Sequence, residues 1–161
     1  MIVVSDTSVI SNLYLIGHLD LLQKLFTTII IPQKVHNELL ELRQFGVDVQ
    51  PIVGAIYIKV QTPENQALVR EFLLNIDEGE AQAIVLAKEI GADLLLIDEL
   101  KGRAIAEQQG LKITGLLGVL LQAKQHGFLP VVKPILERLR DEANFFLSDR
   151  LFSQIVQLAG E

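Results

Sequence analysis

Met1-Ile2-Val3-Val4-Ser5-Asp6-Thr7-Ser8 opens the chain, and how it is read decides the fold. Ile2 to Val4 is a short β-branched run, which reads as a buried strand rather than a helix. Asp6 stops it, and Asp6-Thr7-Ser8 place three helix-capping residue types ahead of the apolar pair Val9-Ile10. A strand that ends in an acid and turns at once into a helix puts that carboxylate at the strand's C-terminal edge. Open parallel α/β sheets bind their ligands at this edge. Taken alone, Asp6 is accounted for as a helix cap. What changes the balance is a second copy of the layout, Leu94-Leu95-Leu96-Ile97-Asp98-Glu99, where a buried strand again ends in an acid and leads into a helix.

Outward from these two stretches the pattern alternates. A helix is expected from Ser8 to Leu15, broken near Gly17, and a second amphipathic segment from Leu19 to Leu25. Thr28 to Ile31 reads as a strand closed by Pro32, and Pro32 to Gln44 as a helix with Val35, Leu39 and Leu42 on its inner stripe. Gly46 to Gly54 is the least regular stretch, and Ala55 to Val60 suits a short edge strand. Thr62-Pro63-Glu64 and Asp77-Glu78-Gly79-Glu80 both read as helix openings, the latter helix ending at Gly91. A helix from Asp98 to Gly110, a strand from Lys112 to Thr114, and helices at Leu116 to Gln125, at Pro130 to Glu142 and beyond Ser148-Asp149 complete the chain. Strands alternating with helices over short loops give an α/β fold, three layers around a central, mostly parallel sheet. No linker or low-complexity stretch interrupts it, so 161 residues are expected to form one domain.

Composition narrows the function. The chain is 50% hydrophobic with a mean hydropathy of +0.37, an excess that points to apolar surface covered by a partner or a second copy. Leu19 to Leu25 and Leu116 to Leu121 are the segments expected to supply it, hence a homodimer. The apolar runs Leu94 to Ile97 and Leu116 to Leu121 fall far short of the ~18 residues of a membrane span. No basic region precedes the first apolar run, so it does not read as a signal peptide. With no cysteine there are no disulfides and no thiolate metal sites, which is compatible with a reducing cytoplasm. A net charge of -6 and a pI of about 5.1 have the wrong sign for a general nucleic-acid coat protein. A nucleic-acid substrate would need local basic residues and cations to offset the acids.

The acids are the chemistry-bearing residues. Neighbouring parallel strands lie ~4.8 Å apart, so acids ending two adjacent or next-but-one strands can share one ion. Right-handed crossovers bring the strand ends and the following helix starts to one edge of the sheet. Glu38 and Glu80, each within two turns of a helix start, belong near that edge, which makes four candidate carboxylates with Asp6 and Asp98. Each also has an ordinary explanation. Asp77 and Glu80 fit a capping box, Glu38 fits an ion pair with Lys34, and Asp6 and Asp98 fit helix caps. The helix after Glu80 is apolar almost all round, however, and a carboxylate entering so buried a helix needs a partner. One hard divalent cation explains all four at once, since Mg²⁺ and Mn²⁺ take oxygen ligands. His18, His36 and His126 follow no metal-ligand spacing and read as surface residues. There is no P-loop, GxGxxG or nucleophile elbow.

Asp6-Thr7-Ser8, Glu38, Asp77-x-Gly79-Glu80-x-x-Ala83-Ile84 and Leu96-Ile97-Asp98 together resemble a PIN domain in order and spacing, from residue 1 to about Thr114. The resemblance implies a PIN-like α/β/α sandwich whose core is about 1–114, with a helical extension over about 115–161. It implies a Mg²⁺- or Mn²⁺-dependent ribonuclease acting on RNA, of a kind often paired as a toxin with a small antitoxin and often dimeric. On this resemblance Asp6, Glu38, Glu80 and Asp98 take the four acidic positions. Asp6, Glu80 and Asp98 then hold metal, Glu38 completes the site or orients the attacking water, and Ser8 supports the first acid. Two features depart from the common pattern: Leu96 stands where a threonine or serine is frequent, and Glu99 follows the last acid as a further supporting carboxylate. Gly102-Arg103 matches a PIN-like subgroup, and Lys101 and Arg103 are the nearest basic residues for a phosphate.

Two other classes stay open on the sequence. An acid ending the first strand also suits a phospho-accepting aspartate helped by Mg²⁺, although Ser8 stands where a phosphatase would carry its second acid. A non-catalytic binding module keeping the same fold is the other, and the acidic pI and Leu96 lean toward it.

Overall fold

A computed structural model describes residues 1–161. Five parallel strands form one sheet: β1 (Val3–Ser5), β2 (Ile29–Ile31), β3 (Ile58–Val60), β4 (Leu94–Leu96) and β5 (Ile113–Thr114), in the order β3-β2-β1-β4-β5. The chain therefore builds outward from β1 in one direction, returns across it, and builds outward in the other. The reversal falls between β1 and β4, with Ser5 in register with Leu96. Open α/β sheets place a crevice outside the strand ends at such a point. Asp6 and Asp98 lie one and two residues beyond that register pair, one from each strand.

Helices cover both faces. α1 (Thr7–Leu15) and α2 (Asp20–Phe26) follow β1, and α3 (Gln33–Leu40) follows β2, running into a 3-10 turn at Glu41–Phe45 and a short α4 (Gln50–Val53). α5 (Gln66–Phe72) and α6 (Glu78–Glu89) lead from β3 to β4, and α7 (Leu100–Gln108) leads from β4 to β5. α8 (Leu116–Gln125), α9 (Lys133–Glu142) and α10 (Asp149–Leu158) end the chain. Period-two alternation sorts the strand residues between the layers. Val3, Ile29, Ile31 and Leu96 pack with residues of α1, α2, α8 and α9, whereas Val4, Leu95 and Ile97 pack with residues of α5, α6 and α7. This is the three-layer arrangement expected. α6 is its centre, with seven consecutive buried residues from Ala81 to Ala87.

Some local expectations need correction. The helix expected at Thr62-Pro63-Glu64 starts later, at Gln66, because the Glu89 carboxylate accepts from Glu64 N at 2.9 Å and Asn65 N at 2.6 Å, while Asn65 caps the helix. The Gly46 to Gly54 stretch contains α4, anchored by buried Val49 and Ile52. His126 is exposed as expected, but His18 and His36 are half-buried. The leucines expected to face a second copy largely face inward: Leu21, Leu22, Leu116 and Leu120 are buried and Leu25, Leu117 and Leu121 pack onto the same core. The apolar excess of those helices is thus covered within the chain. Leu13 of α1, 0% exposed, lies in that core. Leu13→Ala should cost about 2–5 kcal/mol through lost transfer energy and a residual cavity. A lower denaturant midpoint at unchanged slope is the expected readout.

Candidate active site

Each acid is placed by the first turn of a helix or the end of a strand. Asp6 is the N-cap of α1, its Oδ1 accepting from Val9 N at 3.4 Å, and Ser8 Oγ lies 3.4 Å from both of its carboxylate oxygens. It is only 2% exposed. Burial, then the charges of Asp98 and Glu80, push its carboxyl up to about 8, against weaker relief from Val9 N–H and Ser8. Glu80, in the first turn of α6, is pushed up to about 7 by burial and by Asp77, Glu99 and Glu38. Asp77 caps α6, accepting from Glu80 N at 2.9 Å, so the aspartate of the expected capping box is in place while the Glu80 side chain serves the cluster.

Asp98 does not cap the helix that follows it. α7 has Glu99 at its N-cap with no side-chain bond. Asp98 Oδ1 instead accepts from Leu116 N at 2.9 Å, at the start of α8. Asp98 Oδ2 is buried with no hydrogen-bond partner. Burial raises the Asp98 carboxyl, with Leu116 N–H, Arg103 and Ser8 acting in the opposite sense. The serine expected to support Asp6 thus stands beside its carboxylate, and its hydroxyl also bears on the charge of Asp98. Glu38 Oε2 accepts from Thr7 Oγ1 at 2.7 Å, and its carboxyl is raised chiefly by burial. The ion pair expected between Glu38 and Lys34 is not formed, since Lys34 lies 3.8 Å from Glu78.

The four acids are electrostatically contiguous: Asp6 is raised by Asp98 and by Glu80, and Glu80 by Glu38. Asp6, Ser8, Glu38 and Glu80 line a cleft of about 260 Å³ with Thr7, Ser11 and Asp77. As placed, no three acid or histidine side chains converge closely enough to form a closed ligand set. Mg²⁺ does not require one, because it keeps several waters and uses one or two carboxylates. All-oxygen donors, crowded charge and one buried, unpartnered carboxylate oxygen fit a hard divalent cation.

Two glycines make room for the acids, a signal the sequence reading missed. A Cβ on Gly79 would collide with the Glu38 carboxylate, and one on Gly115 would collide with Asp98 Oδ1 and come within 2.9 Å of Arg103 Nη1. Gly115 has φ of -107°, open to alanine, so Gly115→Ala would act through crowding and not backbone strain. We expect it to lower divalent-ion affinity by about 10–100-fold, the range for disturbing what orients a ligand, as measured by calorimetric titration with Mn²⁺. The basic residues divide. Arg103 turns inward and donates Nη1 to Ile97 O at 2.9 Å, whereas Lys101 is exposed and makes no ion pair. Glu99 is exposed beside Glu80 and raises it.

Comparison with known proteins bears on this geometry. A family model described as a PIN domain matches residues 2–161. A PilT N-terminus domain protein from the hyperthermophilic archaeon Sulfolobus solfataricus is similar in structure, with a TM-score of 0.53 at 18% identity over 76% of this chain and 93% of that one. At that identity the likeness concerns the fold alone. None of the curated proteins compared matches the chain.

Proposed function

The chain belongs to the PIN-domain family, generally nuclease-like, and from that premise we propose that it is a metal-dependent ribonuclease hydrolysing RNA phosphodiester bonds. The observation that carries the reading is Asp98 Oδ2, a buried carboxylate oxygen without a partner, beside an Asp6 whose carboxyl is pushed up to about 8. Buried charge of this kind is retained where it is paired or binds a cation.

In this proposal Asp6, Glu80 and Asp98 hold Mg²⁺ or Mn²⁺. A cation there supplies Lewis acidity toward a phosphoryl oxygen and offsets charge on the departing oxygen. To hold the ion Asp6 would have to give up its proton to solvent, because ligands must be deprotonated. Thr7 holds Glu38 Oε2 and leaves Oε1 to orient the attacking water and accept its proton. Leu116 N–H holds Asp98 Oδ1, and Val9 N–H and Ser8 Oγ stand against the Asp6 carboxylate, so the two aspartates keep their places before any ion arrives. The phospho-aspartate alternative is weakened by Ser8, which stands where a phosphatase would carry its second acid. The proposal extends to a toxin role beside a small antitoxin in the cytoplasm; no helix is long and apolar enough to cross a membrane. It extends also to a homodimer, through exposed apolar residues such as Phe45 and Ile56. Light scattering that finds a 17.9 kDa particle at micromolar concentration would remove the dimer.

The test is incubation of purified protein with end-labelled structured and unpaired RNAs in Mg²⁺, in Mn²⁺ and in EDTA. Cleavage with either ion and none with chelator is expected. Folded protein that leaves every RNA intact with both ions would favour the non-catalytic binding module.

A further inference from the structure

A second cleft adjoins the acids. It has a volume of about 430 Å³ and is lined by Leu73, Leu74, Asn75, Glu80, Glu99 and Lys101, together with Ile76 and Asp77. The size is within the range of small-ligand sites. Its floor is the loop between α5 and α6, and its opposite wall is the first turn of α7. Glu80 and Asp77 border both this cleft and the one lined by Asp6 and Glu38, so the two are neighbours. The walls differ in chemistry. Leu74 is 84% exposed and Leu73 41%, apolar side chains that serve no core. Asn75 offers an exposed amide, both donor and acceptor, with no hydrogen bond of its side chain within the chain. Lys101 is exposed and free of any ion pair, whereas Lys34 is committed to Glu78 and Arg103 to Ile97 O. Gly102 lets this wall approach: a Cβ there would press on Ile97 at 2.8 Å and stand 3.4 Å from Glu80 Oε2.

We infer that this cleft is a subsite for one unpaired nucleotide flanking the cleaved bond, its base on Leu73 and Leu74, its base edge toward Asn75 and its phosphate on Lys101. The inference rests on the nuclease reading and deepens it. An apolar ledge, an amide and one cation match the base face, base edge and phosphate of a single nucleotide. A base inside a duplex has its faces stacked and its pairing edge occupied, so only an unpaired strand can use the ledge. Lys101 contributes position without sequence preference, and Asn75 contributes the preference.

The test is fluorescence anisotropy of full-length wild type, Lys101→Ala, Leu74→Ser and Asn75→Ala with a fluorescein-labelled ten-nucleotide mixed-sequence RNA. It is run in Mg²⁺ at several salt concentrations, as the single strand and as its duplex, with cleavage followed in parallel. Wild type should bind the single strand more tightly than the duplex. Lys101→Ala should weaken binding of all sequences and reduce the slope of log affinity against log salt by about 0.7, the value for one single-strand phosphate contact. Leu74→Ser should weaken the single strand severalfold and leave duplex binding unchanged. Asn75→Ala should alter base preference at one position beside the cut, read by sequencing the products or the bound pool. Wild-type binding without cleavage would sink the chemistry and leave the subsite standing. Equal affinity of wild type, Lys101→Ala and Leu74→Ser for the single strand, or a preference for duplex, would overturn the subsite while cleavage still supports the nuclease. Absence of both binding and cleavage by folded wild type would overturn both.

Discussion

Asp98→Asn should abolish most metal-dependent RNA cleavage and leave the fold intact. The two oxygens of Asp98 serve different ends. Oδ1 accepts from Leu116 N at 2.9 Å, and Oδ2 is buried without a partner. The asparagine amide oxygen can keep the first bond and so the start of α8, while its NH₂ replaces the oxygen offered to the ion. Orienting residues around metal ligands are worth about 10–100-fold, so losing the charge of a direct ligand should cost more than about 100-fold in kcat/KM. Were Asp98 only a cap, asparagine would serve nearly as well and activity would barely change. Asp6→Asn should behave alike, and the double mutant should be little worse than either single, because residues acting as a unit are not additive. Wild-type cleavage rates for Asp98→Asn in Mg²⁺ would end the proposed mechanism, whatever becomes of the family assignment.

The layers and strand positions of this molecule are legible because period-two and helical patterns are set by burial, which acts residue by residue. Val3-Val4, Ile29 to Ile31 and Leu94 to Leu96 are apolar on both sheet faces, and each becomes a parallel strand. The placement of Asp6 and Asp98 follows from the same pattern plus the handedness of crossovers. Less legible was what each side chain bonds. Asp98 caps α8, which starts 18 residues on, and Glu89 holds the loop before α5 from 25 and 24 residues away. These are tertiary bonds with no local spacing to announce them. Gly79 and Gly115 were hidden for a related reason: their value lies in the Cβ they lack, opposite Glu38 and Asp98. Hydropathy misled over the leucines of α2 and α8, because these helices pack on each other and α8 also on α10, which needs a wider apolar face than one side of a sheet alone suggests.

Apo protein should grow less stable as pH rises from about 4 to about 8, and a divalent cation should reverse this. Asp6 carries the sign. Its carboxyl has an ordinary value of 3.8 and is pushed up to about 8 in the fold. Between those values the native chain binds a proton that the unfolded chain has released, so unfolding free energy falls with pH. A fully shifted single site gives a slope of about 1.4 kcal/mol per pH unit. Glu80, pushed up to about 7, acts in the same direction, but half exposed it is screened and adds less. In EDTA, the denaturant midpoint should therefore be higher at pH 5 than at pH 8. Asp6→Asn removes the buried charge and should flatten that profile, making the mutant the more stable protein at pH 8 without metal. Mn²⁺ at about 100 times Kd should add about 2.7 kcal/mol to wild type. The gain should shrink toward pH 5, where protons compete with the ion for Asp6, and be largely lost in Asp6→Asn. Wild-type curves that coincide in EDTA and Mn²⁺ at pH 8 and fixed ionic strength would mean the acids hold no ion. A wild-type midpoint that rises with pH in EDTA would mean that Asp6 is ionised and paired in the fold, contrary to its burial beside Asp98 and Glu80.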